Sequence, residues 1–265
     1  MKRFLAIVLS IMFAALVFGC VVKAPAGQDI SAAVTTAAAE PTPTPSAEPT
    51  PEPTREPSPE PTPEPLLPIV EKIRAGETRD LEFGGYIWRV LDVQDGKALI
   101  IMEDILEDCP YHTTYASVTW ETCALRAYLN NEVYYSFSEK DRERIIETTV
   151  QNPDNLWYGT KGGNDTQDYL FLLSIEEADI YFGGSGHYRN QMRMGDDGWC
   201  FHNEYDEDRK ATYNGATNSW WLRSPGQTGG FAASVLYVGW VCVQGRGVTS
   251  ASNGVRPALW LNLGD

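Results

Sequence analysis

The stretch "PTPTPSAEPTPEPTREPSPEPTPEP", beginning at Pro41, limits what the rest of this chain can build. Twelve of the 17 prolines fall between Pro41 and Pro68, so backbone amide donors are missing too often for a helix or a sheet ladder to pass through. A sequence of this kind favours polyproline II, a solvated helix that rises about 3.1 Å per residue and buries nothing. Glu48, Glu52, Glu56, Glu60 and Glu64 repel one another along it and add stiffness. The residues from Ala24 to Glu40 are rich in alanine and threonine and show no apolar period. Residues 21–68 therefore read as a disordered Pro/Thr/Glu-rich spacer, several nanometres long, between two parts of different character.

The part before the spacer opens with Lys2 and Arg3, continues as an apolar run from Phe4 to Phe18 and stops at Gly19-Cys20. This run is shorter than the ~20 residues a spanning helix needs, and a small residue followed by cysteine is the pattern cut by lipoprotein signal peptidase. "LVFGC" resembles a lipobox, although Phe18 is bulkier than the usual residue there. Residues 1–20 are expected to be a lipoprotein signal peptide, the alternative being an uncleaved signal anchor. Cys20 would then carry the acyl chains that hold the protein on the outer face of the cell membrane, and that membrane contact is its first expected partner.

The part after the spacer, residues 69–265, is expected to form a single globular α+β domain. It holds all eight tryptophans and only four prolines. From Leu66 onward, 29 acidic residues outnumber 17 basic ones, which makes nucleic acid and anionic lipid surfaces poor partners. "LEFGGYIWRVLDVQDGKALIIMEDIL" alternates and breaks at Gly84-Gly85 and Asp95-Gly96, which predicts a three-stranded meander from Leu81 to Leu106. Leu125, Tyr128, Leu129 and Val133 follow at helical spacing. Ser138 with Asp141, and Ser174 with Glu177, predict two further capped helices. Gly183 to Gly215 reads as long loops, and short C-terminal strands are expected around Trp220–Ser224, Ala232–Val238, Trp240–Val243 and Val255–Leu263.

Two motifs near the C-terminus carry the most chemistry. In "WWLRSPG" a strand places Trp221 and Arg223 on one face and Trp220, Leu222 and Ser224 on the other. In "GVRPALWL", Arg256 and Trp260 alternate with the aliphatic Val255, Leu259 and Leu261. Arg223 and Arg256 are expected to meet carboxylates such as Glu121, Asp165 or Asp168, because a guanidinium accepts a carboxylate through two hydrogen bonds. The two motifs are expected to lie side by side as neighbouring strands. Such pairs either fix loops or form a clamp for an anionic ligand, and Asp165 in "GGNDT" suits a turn that binds its own loop amides. The glycines from Gly226 to Gly230 are expected to supply turn conformations.

"VTWETCALRAYLN", "GGNDTQDYLFLLSIEEADIYF", "WWLRSPG" and "GVRPALWL", in this order, resemble a domain family of unknown function found in exported proteins of Gram-positive anaerobes. The resemblance runs from Phe83 to Leu263. More distantly, helices placed early, long loops and a final arginine-bearing strand are similar to C-type-lectin-like domains, including the formylglycine-generating group. That likeness implies a C-type-lectin-like mixed domain with an N-terminal β-meander, two or three short helices and C-terminal antiparallel strands. Calcium is familiar in that fold, and "EYDEDRK" and "GDDG" supply carboxylates, although neither has the spacing of a calcium loop, so no cofactor is assigned. The copper-holding cysteines of the formylglycine-generating group have no matching context around Cys200 and Cys242.

Neither a metalloprotease H-E-x-x-H nor a nucleophile elbow surrounds His112, His187 or His202. Cys109, Cys123, Cys200 and Cys242 contain no C-x-x-C pair and allow three disulfide pairings. Trp157, Tyr158, Tyr181, Tyr188, Trp199, Tyr205 and Tyr213 lie in polar, glycine-rich stretches that suit sugar stacking, or else form a satellite core under the loops. Two classes of function follow: a non-catalytic binding domain for glycan or other cell-envelope ligands, and a structural envelope protein that engages only protein partners.

Overall fold

In the computed structural model the described residues are 71, 72, 75, 78–186, 192–195 and 198–264. Cys20, the expected signal peptide over residues 1–20 and the expected spacer over residues 21–68 lie outside them. The meander forms from β1 (Asp80–Phe83), β2 (Tyr86–Gln94) and β3 (Lys97–Met102). Asp95 and Gly96 both take positive φ, 46° and 74°, the left-handed pair that a two-residue hairpin turn requires. The third strand ends at Met102, short of the expected Leu106, because the chain then crosses into another sheet as β4 (Glu107–Asp108).

The helical spacing after it is realised in short pieces. A 3-10 turn over Trp120–Thr122 leads into α1 (Ala124–Tyr128), a π turn over Leu129–Val133 and α2 (Tyr134–Ser136), and all four predicted apolar positions are buried. Ser138 caps α3 (Glu139–Arg142) by accepting the Asp141 amide at 3.1 Å. β5 (Ile145–Ile146), β6 (Thr148–Val150) and β7 (Thr166–Asp168) follow. α4 (Ile175–Ile180) carries a complete capping box, with the Glu177 amide donating to Ser174 Oγ at 3.2 Å and the Ser174 amide to Glu177 Oε2 at 2.9 Å.

The segment from Gly183 to Gly215 contains more regular structure than the expected loops. It includes β8 (Met192–Gly195), β9 (Gly198–Phe201), α5 (Asp206–Arg209) and β10 (Ala211–Tyr213). Elements of three or four residues are too short to establish a period in sequence, so composition alone pointed to loops. β11 (Ala216–Asn218), β12 (Trp220–Pro225), β13 (Phe231–Val235), β14 (Val241–Gly247), β15 (Gly254–Val255) and β16 (Ala258–Asn262) complete the chain.

The fold is mixed α+β, mostly antiparallel strands with a few short helices. One sheet has the order β1-β2-β3-β16-β5, a second has the order β4-β15-β12-β13-β14-β9-β8, and β6–β7 and β10–β11 are two-stranded ribbons. A continuous buried core runs from Leu81 to Leu263 and includes Trp88, Trp120, Trp220 and Trp221. "WWLRSPG" and "GVRPALWL" are neighbours only in part. β15 lies parallel to β12 through Trp220 and Gly254, but β16 belongs to the other sheet, where it pairs with β3 and β5. The expected single strand divides at Arg256-Pro257, since proline offers no amide to continue the ladder and the chain changes sheets there. Among the described residues no helix is long and apolar enough to cross a membrane.

Candidate functional site

All six residues of β12 are buried, so both of its faces are core. Its register with β13 shifts between Trp221 and Pro225, and the displaced backbone bonds elsewhere: the Arg223 amide donates to Leu173 O at 2.9 Å. Ser224 Oγ accepts the Ile175 amide at 3.0 Å. The Arg223 side chain is only 3% exposed. Its Nε donates to Gln151 O at 3.2 Å, Nη1 to Leu172 O at 2.7 Å and to Glu177, and Nη2 to Gln151 O at 3.1 Å and Glu177 Oε1 at 2.7 Å. A guanidinium has five N–H donors, and every one is used within the protein. Arg223 thus sews the segment ahead of α4 onto the sheet. Its carboxylate is Glu177, not the expected Glu121, Asp165 or Asp168, because the shifted register aims it at the start of α4.

Arg256 is wholly buried and is held mainly by carbonyls and rings. Nε donates to Met102 O at 2.7 Å and Nη1 to Arg209 O at 3.3 Å, while the guanidinium lies 5.1 Å from the Trp220 ring centre and 5.5 Å from that of Phe182. The nearest ion-paired carboxylate, Glu103, is 3.7 Å from Nη2 and is already engaged with Arg89. Burial pushes the Arg256 guanidinium down to about 9, and the like charge of Arg89 adds to that.

The remaining predicted residues are mostly structural. Asp168 is buried and accepts Trp120 Nε1 at 2.8 Å, Thr166 Oγ1 at 2.7 Å and Arg126 Nε at 2.6 Å, so its cation is Arg126. Asp165 accepts the Asn152 amide at 3.3 Å, from the other end of the loop that joins β6 to β7. Glu121 meets the Asn164 side chain at 3.1 Å. Trp220 and Trp221 are buried and donate through Nε1 to Arg209 O at 3.0 Å and Cys109 O at 2.8 Å. Trp260 is half-buried on the outer side of β16, beside Lys97 and Thr149.

Trp157, Tyr158, Tyr181 and Tyr213 pack against the core, whereas Trp199 is exposed and Tyr188 lies outside the described residues. Carboxylates of "EYDEDRK" are committed to cations: Asp206 to Arg209 at 2.5 Å, Glu207 to Lys210 at 2.6 Å and Asp208 to Arg79 at 3.2 Å. The two aspartates of "GDDG" lie outside the described residues. No group of three or more metal-ligating side chains occurs among the described residues. Cys123 Sγ donates to Trp120 O and accepts the Arg126 amide, and burial pushes its thiol up to about 12, which makes it a poor nucleophile.

A cleft of about 460 Å³ opens elsewhere, over the outer end of β14, lined by Phe231, Gln244, Arg246, Thr249 and Ser250 with Cys242 at its floor. Alternation along "VCVQGRG" sends Cys242, Gln244 and Arg246 to this side while Val241 and Val243 enter the core. The buried Nε of Arg246 makes no hydrogen bond among the described residues, unlike the fully engaged guanidinium of Arg223. Tyr115 is 67% exposed and stands edge-on to the ring of Phe231, which lines the cleft, with centroids 6.3 Å apart. Gly226 and Gly229 near this end do not take the positive φ expected of them. They are small because a Cβ would strike Gln244 O at one and Ser117 Oγ at the other. Most of the cleft's residues come from β14 and the turn after it, joined by Phe231 and Leu236, and only the polar alternation of β14 signals it in sequence.

Comparison with curated proteins and with solved structures finds no match to this chain. Comparison with family models matches residues 95–263, which run from the β2–β3 turn through β16 and include the α4 clasp and the cleft but not β1 and β2. The chain therefore belongs to the family described as a domain of unknown function, DUF6273.

Proposed function

We propose that this protein displays a non-catalytic binding domain outside the cell, anchored by lipid at Cys20, and that the cleft over β14 takes envelope glycan. One observation carries the proposal: the exposed Tyr115 stands edge-on to the half-buried Phe231, which lines the cleft together with the polar Gln244, Arg246, Thr249 and Ser250. Sugar rings stack their C–H faces on aromatic side chains and offer hydroxyls to such polar groups, and Arg246 favours a sugar bearing a carboxylate. We further propose a C-type-lectin-like fold and an exported Gram-positive context. The early meander, the short helices and the late antiparallel sheet support the first, and the lipobox-like start supports the second.

Binding of the purified protein to a glycan array and to soluble peptidoglycan fragments tests the cleft. Arg246→Ala and Tyr115→Ala are each expected to weaken binding at least about tenfold, ~1.4 kcal/mol, with little change in melting temperature. Absence of all glycan binding, with recovery of protein partners alone, would favour the assembly role. For the anchor, Cys20→Ala is expected to leave an uncleaved precursor or release the protein from the membrane fraction, as read by immunoblot. Full membrane retention without precursor would reject lipidation.

A further inference from the structure

Cys200 on β9 and Cys242 on β14 are direct partners in an antiparallel ladder. Side chains opposite each other in such a ladder leave on the same face with Cα atoms about 4.5–5.5 Å apart, within the range that a disulfide spans, and their Cβ atoms, about 4.5–5.5 Å apart, need only draw together to about 4 Å to close the bridge. The two cysteines are 3% and 1% exposed and form, with Leu236, a small apolar cluster separate from the main core. Among the described residues the ladder that holds β9 to β14 has two registered pairs, Val241 with Phe201 and Cys242 with Cys200, and β8 pairs with β9 alone. Besides this short ladder, β9 is held by Phe201, which is buried in the main core under the Arg209 guanidinium. Cys242 also lines the cleft, which gives a small oxidant a route to the pair.

We infer that Cys200 and Cys242 are a cross-strand disulfide site that staples the β8–β9 hairpin to β14 beneath the cleft. A low-molecular-weight disulfide is the oxidant. The Cys242 thiolate attacks one of its sulfurs and expels one small thiol. The Cys200 sulfur then attacks the resulting mixed disulfide and expels the second. Two protein S–H bonds and one external S–S bond become one protein S–S bond and two external S–H bonds, with two electrons passing to the oxidant and two protons leaving on its thiols. Cys123 is excluded as a competitor by its place at the α1 cap and by a thiol that stays protonated.

The test uses the full chain, equilibrated with glutathione disulfide, quenched in acid, alkylated with N-ethylmaleimide under denaturing conditions and mapped by mass spectrometry. The expected result is one pair of peptides, those containing Cys200 and Cys242, joined until dithiothreitol is added. The oxidised protein should melt about 5–15 °C above the reduced one, from closure of a loop of some forty residues. The double variant Cys200→Ala/Cys242→Ala should show no redox dependence of melting. Alkylation of both sulfurs before reduction at every glutathione ratio would overturn the inference, as would linkage of either to Cys109 or Cys123.

Discussion

Arg223→Ala is expected to lower the melting temperature by about 5–15 °C, a loss of about 2–4 kcal/mol. The truncation strands Glu177 and removes the donors that satisfy Leu172 O and Gln151 O. An unpaired buried acceptor costs about 1–3 kcal/mol, and the figure for Glu177 is held down because its side chain keeps 29% of its exposure. Glu177 also serves the capping box of α4, so the loss should spread to the helix start. In a Glu177→Gln background the same Arg223→Ala change is expected to cost about 1–2 kcal/mol less, since no carboxylate is left without its cation. Urea melts of the four proteins measure this coupling. A wild-type melting temperature for Arg223→Ala, together with lost glycan binding, would instead move Arg223 into a ligand site.

The partner of Arg223 marks where sequence stops being informative. The meander and both capped helices were legible because hairpin turns and capping boxes are decided within a few residues. That Arg223 would meet a carboxylate was legible from the chemistry of a guanidinium in an apolar strand, with a loop-fixing pair and a ligand clamp both left open. Its partner was not, because Glu177 lies 46 positions away and is reached through a register shift that face alternation in a straight strand does not include. The same limit applies to "GVRPALWL". Pro257 was a visible warning against one continuous strand, but the two sheets that its ends join are known only from pairing. The cleft was the least legible feature. Tyr115 and Phe231 are over a hundred positions apart, and nothing local to either implies the other.

Arg256→Ala is expected to be about as damaging as Arg223→Ala, roughly 3–5 kcal/mol, but for a different reason. The change empties the space between Trp220 and Phe182 and removes two hydrogen bonds, and no carboxylate depends on Arg256 as Glu177 depends on Arg223. The charge of Arg256 is itself unfavourable to the fold. Its guanidinium is held down to about 9, well below its ordinary value, so the unfolded chain binds that proton more tightly. This cost is fully present below pH 9 and is relieved as pH rises above about 9, where the unfolded chain holds more protons and stability rises. Between pH 5 and 8 the contribution is flat. An apolar side chain of similar length should therefore recover most of what alanine loses: Arg256→Met is expected to cost less than about 2 kcal/mol, equally at pH 6 and pH 8. Arg223→Met, by contrast, should be nearly as damaging as Arg223→Ala, because methionine fills space but leaves Glu177 unpaired. Denaturant melts of the four variants decide between volume and charge at each position. If Arg256→Met falls as far as Arg256→Ala, the guanidinium's hydrogen bonds and ring contacts, rather than its bulk, hold the junction between the two sheets.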